Sequence, residues 1–123
     1  MKVRLHHVSL LVADTGRALG FYRDLIGLEV APDRPDLGYP GAWLTLGEAQ
    51  IHLLELPNPD PVSGRPEHGG RDRHVALAVD DLPALVARLE AAGVAFTRSR
   101  SGRAAIFCRD PDGNALELIG IGP

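Results

Sequence analysis

A chain of 123 residues that is 45% hydrophobic and 24% charged has the size and composition of one compact soluble domain. The formal net charge is −3 and no basic stripe is visible, which argues against nucleic acid as a partner. The N-terminus lacks the apolar core of a signal peptide and no run approaches membrane-spanning length, so we expect a cytoplasmic protein with no membrane partner. The single cysteine, Cys108, excludes an internal disulfide, and its place in an apolar run favours a buried hydrophobe over a reactive thiol.

The first half of the chain predicts a strand, a helix and three further strands. Alternating Val and Leu residues favour a strand over 3–12. Asp14 or Thr15 is expected to cap a helix that ends at Ile26, with Gly27 as its C-terminal glycine. The apolar stripe of that helix is Ala18, Leu19, Tyr22, Leu25 and Ile26. Short strands are then expected over 28–31, 42–46 and 50–56.

The second half repeats this order after an irregular segment. Residues 57–72 are rich in proline and glycine, which predicts a linker or a mobile loop, either a simple tether or a lid. A strand is then expected over 74–79, followed by a helix that Asp80 or Asp81 caps and Gly93 ends. Further strands are expected over 94–97, 103–108 and 115–121.

The order βαβββ therefore occurs twice, which indicates an internal duplication. Aligning the first strands places His7 over His74, 67 residues apart, and aligning the last strands places His52 over Glu117, 65 residues apart. A loop absorbs the difference of two residues. We predict an α+β fold with two βαβββ modules that form a cupped mixed sheet, with the helices on its outer face. In this interpretation residues 1–123 are one domain, with module 1 at 1–56, a linker at 57–72 and module 2 at 73–123.

Four polar side chains, His7, His52, His74 and Glu117, occupy equivalent strand positions in this alignment. Small residues follow each first-strand histidine on the same face, which leaves room beside the imidazoles. Three imidazoles and one carboxylate on a concave face are a plausible ligand set for a divalent metal such as Zn²⁺, Ni²⁺, Fe²⁺ or Mn²⁺. The alternatives are ordinary hydrogen-bonded histidines, and for Glu117 a structural ion pair with Arg103 or Arg109.

Other residues could complete a binding cup. Trp43, Arg103 and Phe107 are candidate substrate-binding residues, and Tyr39 is a candidate pocket wall, because they lie on or beside the strands that would line it. The aromatic residues are equally compatible with plain core packing, and Arg103 with a solvated loop arginine. His6 and His68 are expected to be solvated.

Several motifs resemble the vicinal oxygen chelate superfamily, which includes glyoxalase I, methylmalonyl-CoA epimerase, extradiol dioxygenases and the fosfomycin- and bleomycin-resistance proteins. The matching stretches lie at 7–8, 21–28, 41–54, 74–80 and 110–118. The resemblance implies metal ligands at His7, His52, His74 and Glu117, a homodimer, and an ion that chelates adjacent oxygens of a small substrate. The chain departs from glyoxalase I, which has a carboxylate at both last-strand positions, whereas here the first is His52.

This resemblance implies a metal-dependent glyoxalase-like lyase or isomerase that stabilises an enediolate-type oxyanion, with Glu117 as the catalytic proton carrier. Two alternatives remain open. The subset His7, His74 and Glu117 also matches the two-histidine, one-carboxylate pattern of iron enzymes, which would suit an Fe(II) extradiol-type dioxygenase. Some members bind drugs or metabolites in the same cup without catalysis, as bleomycin-resistance proteins do.

Overall fold

A computed structural model describes residues 1–122 and divides the chain into two compact units, Met1–Asp60 and a second unit that begins at Pro61. The boundary falls inside the segment predicted as a linker, so residues 61–72 belong with the second unit. Each unit has the order strand, helix and three strands, and the predicted α+β fold of two βαβββ modules is confirmed.

The first unit contains one four-stranded mixed sheet with the order β1-β4-β3-β2. β1 runs parallel to β4, and the other neighbours are antiparallel. Its elements are β1 (His7–Val12), α1 (Thr15–Leu19) continued by a π-helical turn (Gly20–Ile26), β2 (Glu29–Val30), β3 (Gly41–Leu46) and β4 (Ala49–Glu55).

The second unit repeats this topology with the order β5-β8-β7-β6, and β5 runs parallel to β8. Its elements are a 3₁₀ turn (Gly69–Arg71), β5 (His74–Val79), α2 (Leu82–Ala91), β6 (Phe96–Arg98), β7 (Ala105–Arg109) and β8 (Ala115–Gly120). β6 and β7 each begin two residues later than the sequence pattern suggested. Among residues 1–122, no helix has both the length and the apolar character that crossing a membrane requires.

The first strand is shorter than predicted, because it begins at His7 and not near residue 3. Its partner β4 begins only at Ala49, and the last bond between the two segments runs from Gln50 N to His6 O, at 3.1 Å. Within residues 1–122, the segment before His6 has no strand to pair with, so Val3 and its neighbours are exposed in spite of their β propensity.

The first helix changes its winding in the middle. The Asp14 carboxylate caps it by accepting from Arg17 N at 2.8 Å, and Gly27 ends it with φ 95°, as predicted. Between these ends the chain passes from α-helical to π-helical bonding at Gly20, which the spacing of apolar residues does not distinguish. Phe21 is buried although it was not in the predicted stripe.

The core of the second unit lies between α2 and its sheet. Leu82, Leu85 and Leu89 are the buried residues of α2, and Asp81 caps the helix by accepting from Ala84 N at 3.1 Å. The fully covered strand residues are Ile106, Leu116 and Leu118. Burial of each such side chain contributes about 1.5–3 kcal/mol.

The turn before β8 is built around Asp110, which is buried. Its Oδ1 accepts from Asp112 N and from Asn114 N, each at 2.9 Å, and its Oδ2 accepts from Asn114 Nδ2 at 2.9 Å. Gly113 has φ 83°, which favours glycine there. The turn sets the register of β8 against β7, and therefore the face on which Glu117 lies.

Candidate functional site

The two units place the predicted ligands at equivalent positions of the strand registers. Ser9, two residues after His7, lies beside His52 in the β1–β4 pair. In the second unit the residue two after His74 likewise lies beside Glu117. The internal duplication therefore extends to the register that positions these side chains.

An aromatic residue lies next to each last-strand position. Trp43 on β3 pairs with His52, and Phe107 on β7 pairs with Glu117. Both aromatic residues were predicted to bind substrate, but their equivalence in the two units was not. Their separation of 64 residues, close to the 65 between His52 and Glu117, carried that signal.

The carboxylate of Glu117 is buried, with 7% exposure, and lies next to His74. Its Oε1 is 3.4 Å from Nε2 of His74, and its Oε2 is 3.9 Å from Nη1 of the exposed Arg103. Of the two arginines considered as ion-pair partners, Arg103 is therefore in range, whereas Arg109 pairs with Asp72.

A hydrogen bond fixes which nitrogen of His74 carries the proton. Nδ1 of His74 lies 2.9 Å from the backbone oxygen of Asp72, and a carbonyl oxygen only accepts, so Nδ1 donates. A neutral His74 then has its lone pair on Nε2, the nitrogen that approaches Glu117. A lone pair and a carboxylate at this distance repel unless a proton or a cation lies near both, so His74 and Glu117 together fit a bound cation.

The corresponding positions in the first unit belong to a stack of three rings. The buried imidazole of His52 lies between His7, with ring centroids 4.0 Å apart at 14°, and Trp43, at 4.3 Å and 10°. Nε2 of His52 is 2.8 Å from Oε1 of Gln50, which accepts, so Nδ1 keeps the lone pair.

The environment of His52 favours its neutral form. Burial lowers the pKa of His52 below its ordinary value, and its electrostatic interactions with His7, His6 and Arg34 lower it further. A histidine must be neutral to bind a metal, so His52 also has suitable donor chemistry.

The ring geometry in the first unit limits the binding of one metal ion by both His7 and His52. An imidazole nitrogen directs its lone pair in the ring plane, and the planes of His7 and His52 are nearly parallel. For both to bind one ion, one ring must turn. Among residues 1–122, no group of three or more His, Cys, Asp or Glu side chains is placed to hold a metal ion.

Two histidines that were expected to be solvated have ring partners. Nδ1 of the exposed His6 lies 2.8 Å from Nδ1 of His7. His68 is half-buried, because its Nδ1 is 2.6 Å from Oγ1 of Thr97 and its ring packs edge-to-face on Phe107 at 4.9 Å. The prediction for His68 was wrong because its segment folds onto β6 and β7.

A half-buried ion-pair network in the segment before His74 was missed from the sequence. The Asp72 carboxylate accepts from Arg65 and Arg109, and the hydrogen bonds from Arg65 and then Arg109 hold the pKa of Asp72 well below its usual range. These residues are separated by 7 and 37 positions in the chain, so no local pattern could have joined them. The segment predicted as a linker or a mobile loop is tied to β7 through Arg109.

The candidate substrate-binding residues differ in exposure. Phe107 is buried and packs edge-to-face on His74, with centroids 5.1 Å apart, Trp43 is half-buried, and Arg103 is exposed. Tyr39 is half-buried below the guanidinium of Arg34, 5.4 Å from the ring centroid. A role of these residues in substrate binding stays a prediction.

Cys108 is the buried hydrophobe that was expected. It is 3% exposed on β7, and burial, with a smaller contribution from the charge of Asp110, raises the pKa of its thiol to about 12.

Residues 4–118 match the family described as the Glyoxalase/Bleomycin resistance protein/Dioxygenase superfamily, and the chain belongs to it. Among curated proteins, the uncharacterised YaeR of Escherichia coli is 33% identical over 94% of this chain and 94% of its own length. A lactoylglutathione lyase of Haemophilus influenzae is 32% identical over 95% of this chain and 92% of its own length.

Solved structures share the fold at lower identity. A glyoxalase family protein from Bacillus anthracis superposes with a TM-score of 0.80, at 22% identity, over 98% of this chain and 96% of its own. The E126Q variant of the fosfomycin resistance protein FosX from Listeria monocytogenes, complexed with Mn(II) and 1S,2S-dihydroxypropylphosphonic acid, gives 0.75 at 19% identity over 100% and 95%. TnmS3, an antibiotic-binding protein from Streptomyces, gives 0.74 at 23% identity over 97% and 96%.

Proposed function

We propose that this protein is a metal-dependent lyase or isomerase of the glyoxalase type that acts on a small oxygenated substrate. The observation that carries the proposal is the distance of 3.4 Å between Nε2 of His74 and the buried carboxylate of Glu117, with Nδ1 of His74 donating to Asp72 O. A neutral His74 then presents a lone pair to the carboxylate, an arrangement that a bound cation would stabilise. The lactoylglutathione lyase similar over nearly the whole chain supports the reaction class.

The proposed ligands are His74 and Glu117 from the second unit and His7 and His52 from the first. They would bind the ion within one chain or between two chains of a homodimer. A divalent ion held by such ligands supplies positive charge that stabilises an enediolate-type oxyanion on the substrate.

The chain's own residues supply proton transfer and orientation. Glu117 is the carboxylate that takes a proton from a substrate carbon and returns it to the neighbouring carbon. Phe107 covers one side of His74 and limits the access of water to it. The exposed guanidinium of Arg103, close to Glu117, is suited to an anionic group of the substrate.

Metal binding is tested first, by elemental analysis of protein purified without added metal and by calorimetric titration with Ni²⁺, Zn²⁺ and Mn²⁺. We expect about one bound ion per chain. This binding should be lost in a His52→Ala, Glu117→Ala double variant. Glu90→Gln is the matched control for the carboxylate, because Glu90 is exposed on α2. Failure of every metal to bind would overturn the proposal.

The four proposed ligands should not contribute equally. His52 is stacked between two rings and bonded to Gln50, so His52→Ala should weaken metal binding less than His74→Ala or Glu117→Ala. The same titrations give this order, and size-exclusion chromatography with light scattering tests the homodimer.

Activity then separates the enzyme classes. Isomerisation of hemithioacetals, followed by ultraviolet absorbance, is expected for the metal-loaded protein and should be lost in Glu117→Gln. Oxygen uptake with catechols on an Fe²⁺-loaded sample, without isomerisation, would instead favour the extradiol-type dioxygenase.

A non-catalytic binding protein is the second candidate. The stack of His7, His52 and Trp43 favours it, because parallel rings form an aromatic surface and do not direct two lone pairs at one ion. The antibiotic-binding protein TnmS3 shares this fold. Tight binding of a planar aromatic drug by protein that contains no metal would support this candidate.

A further inference from the structure

We propose that Arg65, Asp72 and Arg109 are positioning residues that hold His74 in the tautomer whose Nε2 lone pair faces Glu117. This inference rests on the proposed function only in its consequence for metal binding, since the tautomer itself can be observed in the metal-free protein.

The Asp72 carboxylate is held by two guanidinium groups. Arg65 donates from Nη2 to Oδ1 at 2.6 Å and from Nε to Oδ2 at 3.2 Å, which is a two-point contact. Arg109 donates from Nη1 to Oδ2 at 2.8 Å. The Asp72 side chain is only 8% exposed, so water competes weakly for these bonds.

Arg109 also ties this carboxylate to the rest of the unit. Its Nη1 donates to Gly113 O at 2.7 Å, in the turn before β8, and its Nη2 donates to Pro66 O at 2.5 Å. The guanidinium therefore links the segment before β5 to the turn that sets the position of Glu117 on β8.

A second contact, with Phe107, also positions the segment before β5. Gly69 and Gly70 pass close over Phe107, and a Cβ added at Gly70 would lie 3.2 Å from Cζ of Phe107 and 2.9 Å from Nε2 of His68. The absence of side chains at these two positions lets the backbone approach the ring, which itself packs on His74.

The link from the Asp72 side chain to His74 is one rigid peptide group. The N–H of Arg73 donates to Oδ1 of Asp72 at 2.8 Å, and the carbonyl of Asp72 belongs to the same planar peptide. Fixing the carboxylate fixes the N–H, and the carbonyl oxygen on the opposite edge is then directed at Nδ1 of His74, 2.9 Å away. Partners of this kind, one bond removed from a metal ligand, typically change metal affinity by about 10- to 100-fold.

The tautomer is measured in metal-free protein by long-range ¹H–¹⁵N correlation of the histidine rings at about pH 8. The signals of His74 are assigned as those that a His74→Gln variant lacks. We expect His74 to carry its proton on Nδ1. A wild-type His74 protonated on Nε2 would overturn the inference without any variant of the network.

Three variants then test the network. Asp72→Ala should allow His74 to populate the Nε2–H tautomer and should weaken Ni²⁺ binding by about 10- to 100-fold. Asp72→Asn keeps an acceptor for Arg73 N–H and should retain most of the affinity for Ni²⁺. Arg109→Lys loses the planar guanidinium and its paired donors, so its affinity should lie between those of the two Asp72 variants. Asp24→Ala is the control, because it removes an exposed ion pair with Arg23 in the first unit.

The outcomes separate the two proposals. If wild-type protein binds no metal, the proposed function fails, while the tautomer spectra still decide the positioning role. If Asp72→Ala does not fold, the same two measurements on Arg109→Lys decide it, because wild-type tautomer and affinity in that variant would refute the inference. A folded Asp72→Ala with the wild-type tautomer and affinity would refute the inference.

Discussion

Replacing Glu117 by glutamine should stabilise the metal-free protein while it removes metal binding and activity. Glu117 is a buried carboxylate whose nearest partner, Nε2 of His74, presents a lone pair in the neutral ring. Glutamine has the same shape, and its NH₂ group donates where the carboxylate can only accept.

The magnitude follows from three contributions. A new hydrogen bond to His74 contributes about 1 kcal/mol, and relief of a buried, poorly compensated charge contributes about 1–3 kcal/mol. The loss of the 3.9 Å contact with the exposed Arg103 costs about 0–1 kcal/mol. The net expectation is a free energy of unfolding higher by about 1–4 kcal/mol, or a Tm rise of about 3–12 °C.

The assay is urea and thermal unfolding of chelator-treated wild type and Glu117→Gln at about pH 8, where an ordinary imidazole is neutral. Calorimetric titration with Ni²⁺ on the same samples gives the functional cost. Glu90→Gln, exposed on α2, should change neither quantity. A metal-free Glu117→Gln that is less stable than wild type would refute this account of the charge, and a variant that binds Ni²⁺ as tightly as wild type would refute the ligand role.

Three further measurements test other parts of the structure. Trp43 is the single tryptophan and stacks on His52, so its fluorescence should fall on acidification as the imidazole protonates. The midpoint should lie below pH 6.5 because burial lowers the pKa of His52, and a midpoint at or above pH 6.5 would contradict the buried stack. Cys108, with its pKa raised to about 12, should resist a disulfide reagent at pH 8 until the protein unfolds, and rapid reaction of native protein would show that the thiol is accessible. Gly27→Ala should lower the free energy of unfolding by about 1–2 kcal/mol because φ is 95° there, whereas Gly20→Ala, at φ −57° with open space around the added Cβ, should raise it by about 0.5–1 kcal/mol. Denaturant melts that reverse this order would refute these backbone conformations.

The fold was predictable because its signals are local and occur twice. The glycine after each helix, the capping aspartates and the apolar alternation define the same unit in both halves, so each supports the other. The start of β1 was not predictable in this way. A strand extends only as far as the strand that it pairs with. The partner strand β4 begins at Ala49, and the residues before His7 give no information about that position.

The candidate site was predictable only in its positions. Period-2 alternation and the repeat place His74 and Glu117 on neighbouring strands. The tautomer of His74, however, depends on a backbone oxygen at Asp72, and that oxygen depends on Arg109, 37 residues further along the chain. The ring stack around His52 likewise depends on side-chain orientations that strand patterns leave free.

The matching registers of the two units have a consequence for engineering. Because His52 and Glu117 occupy the same place in the same ladder, each half is a template for what the other half tolerates. A His52→Glu change copies into the first unit a residue that the second already accommodates, and Trp43→Phe copies its aromatic neighbour. Exchanging such matched pairs would make the chain more symmetric step by step, and the activity retained at each step would measure how far the function depends on the two halves having diverged.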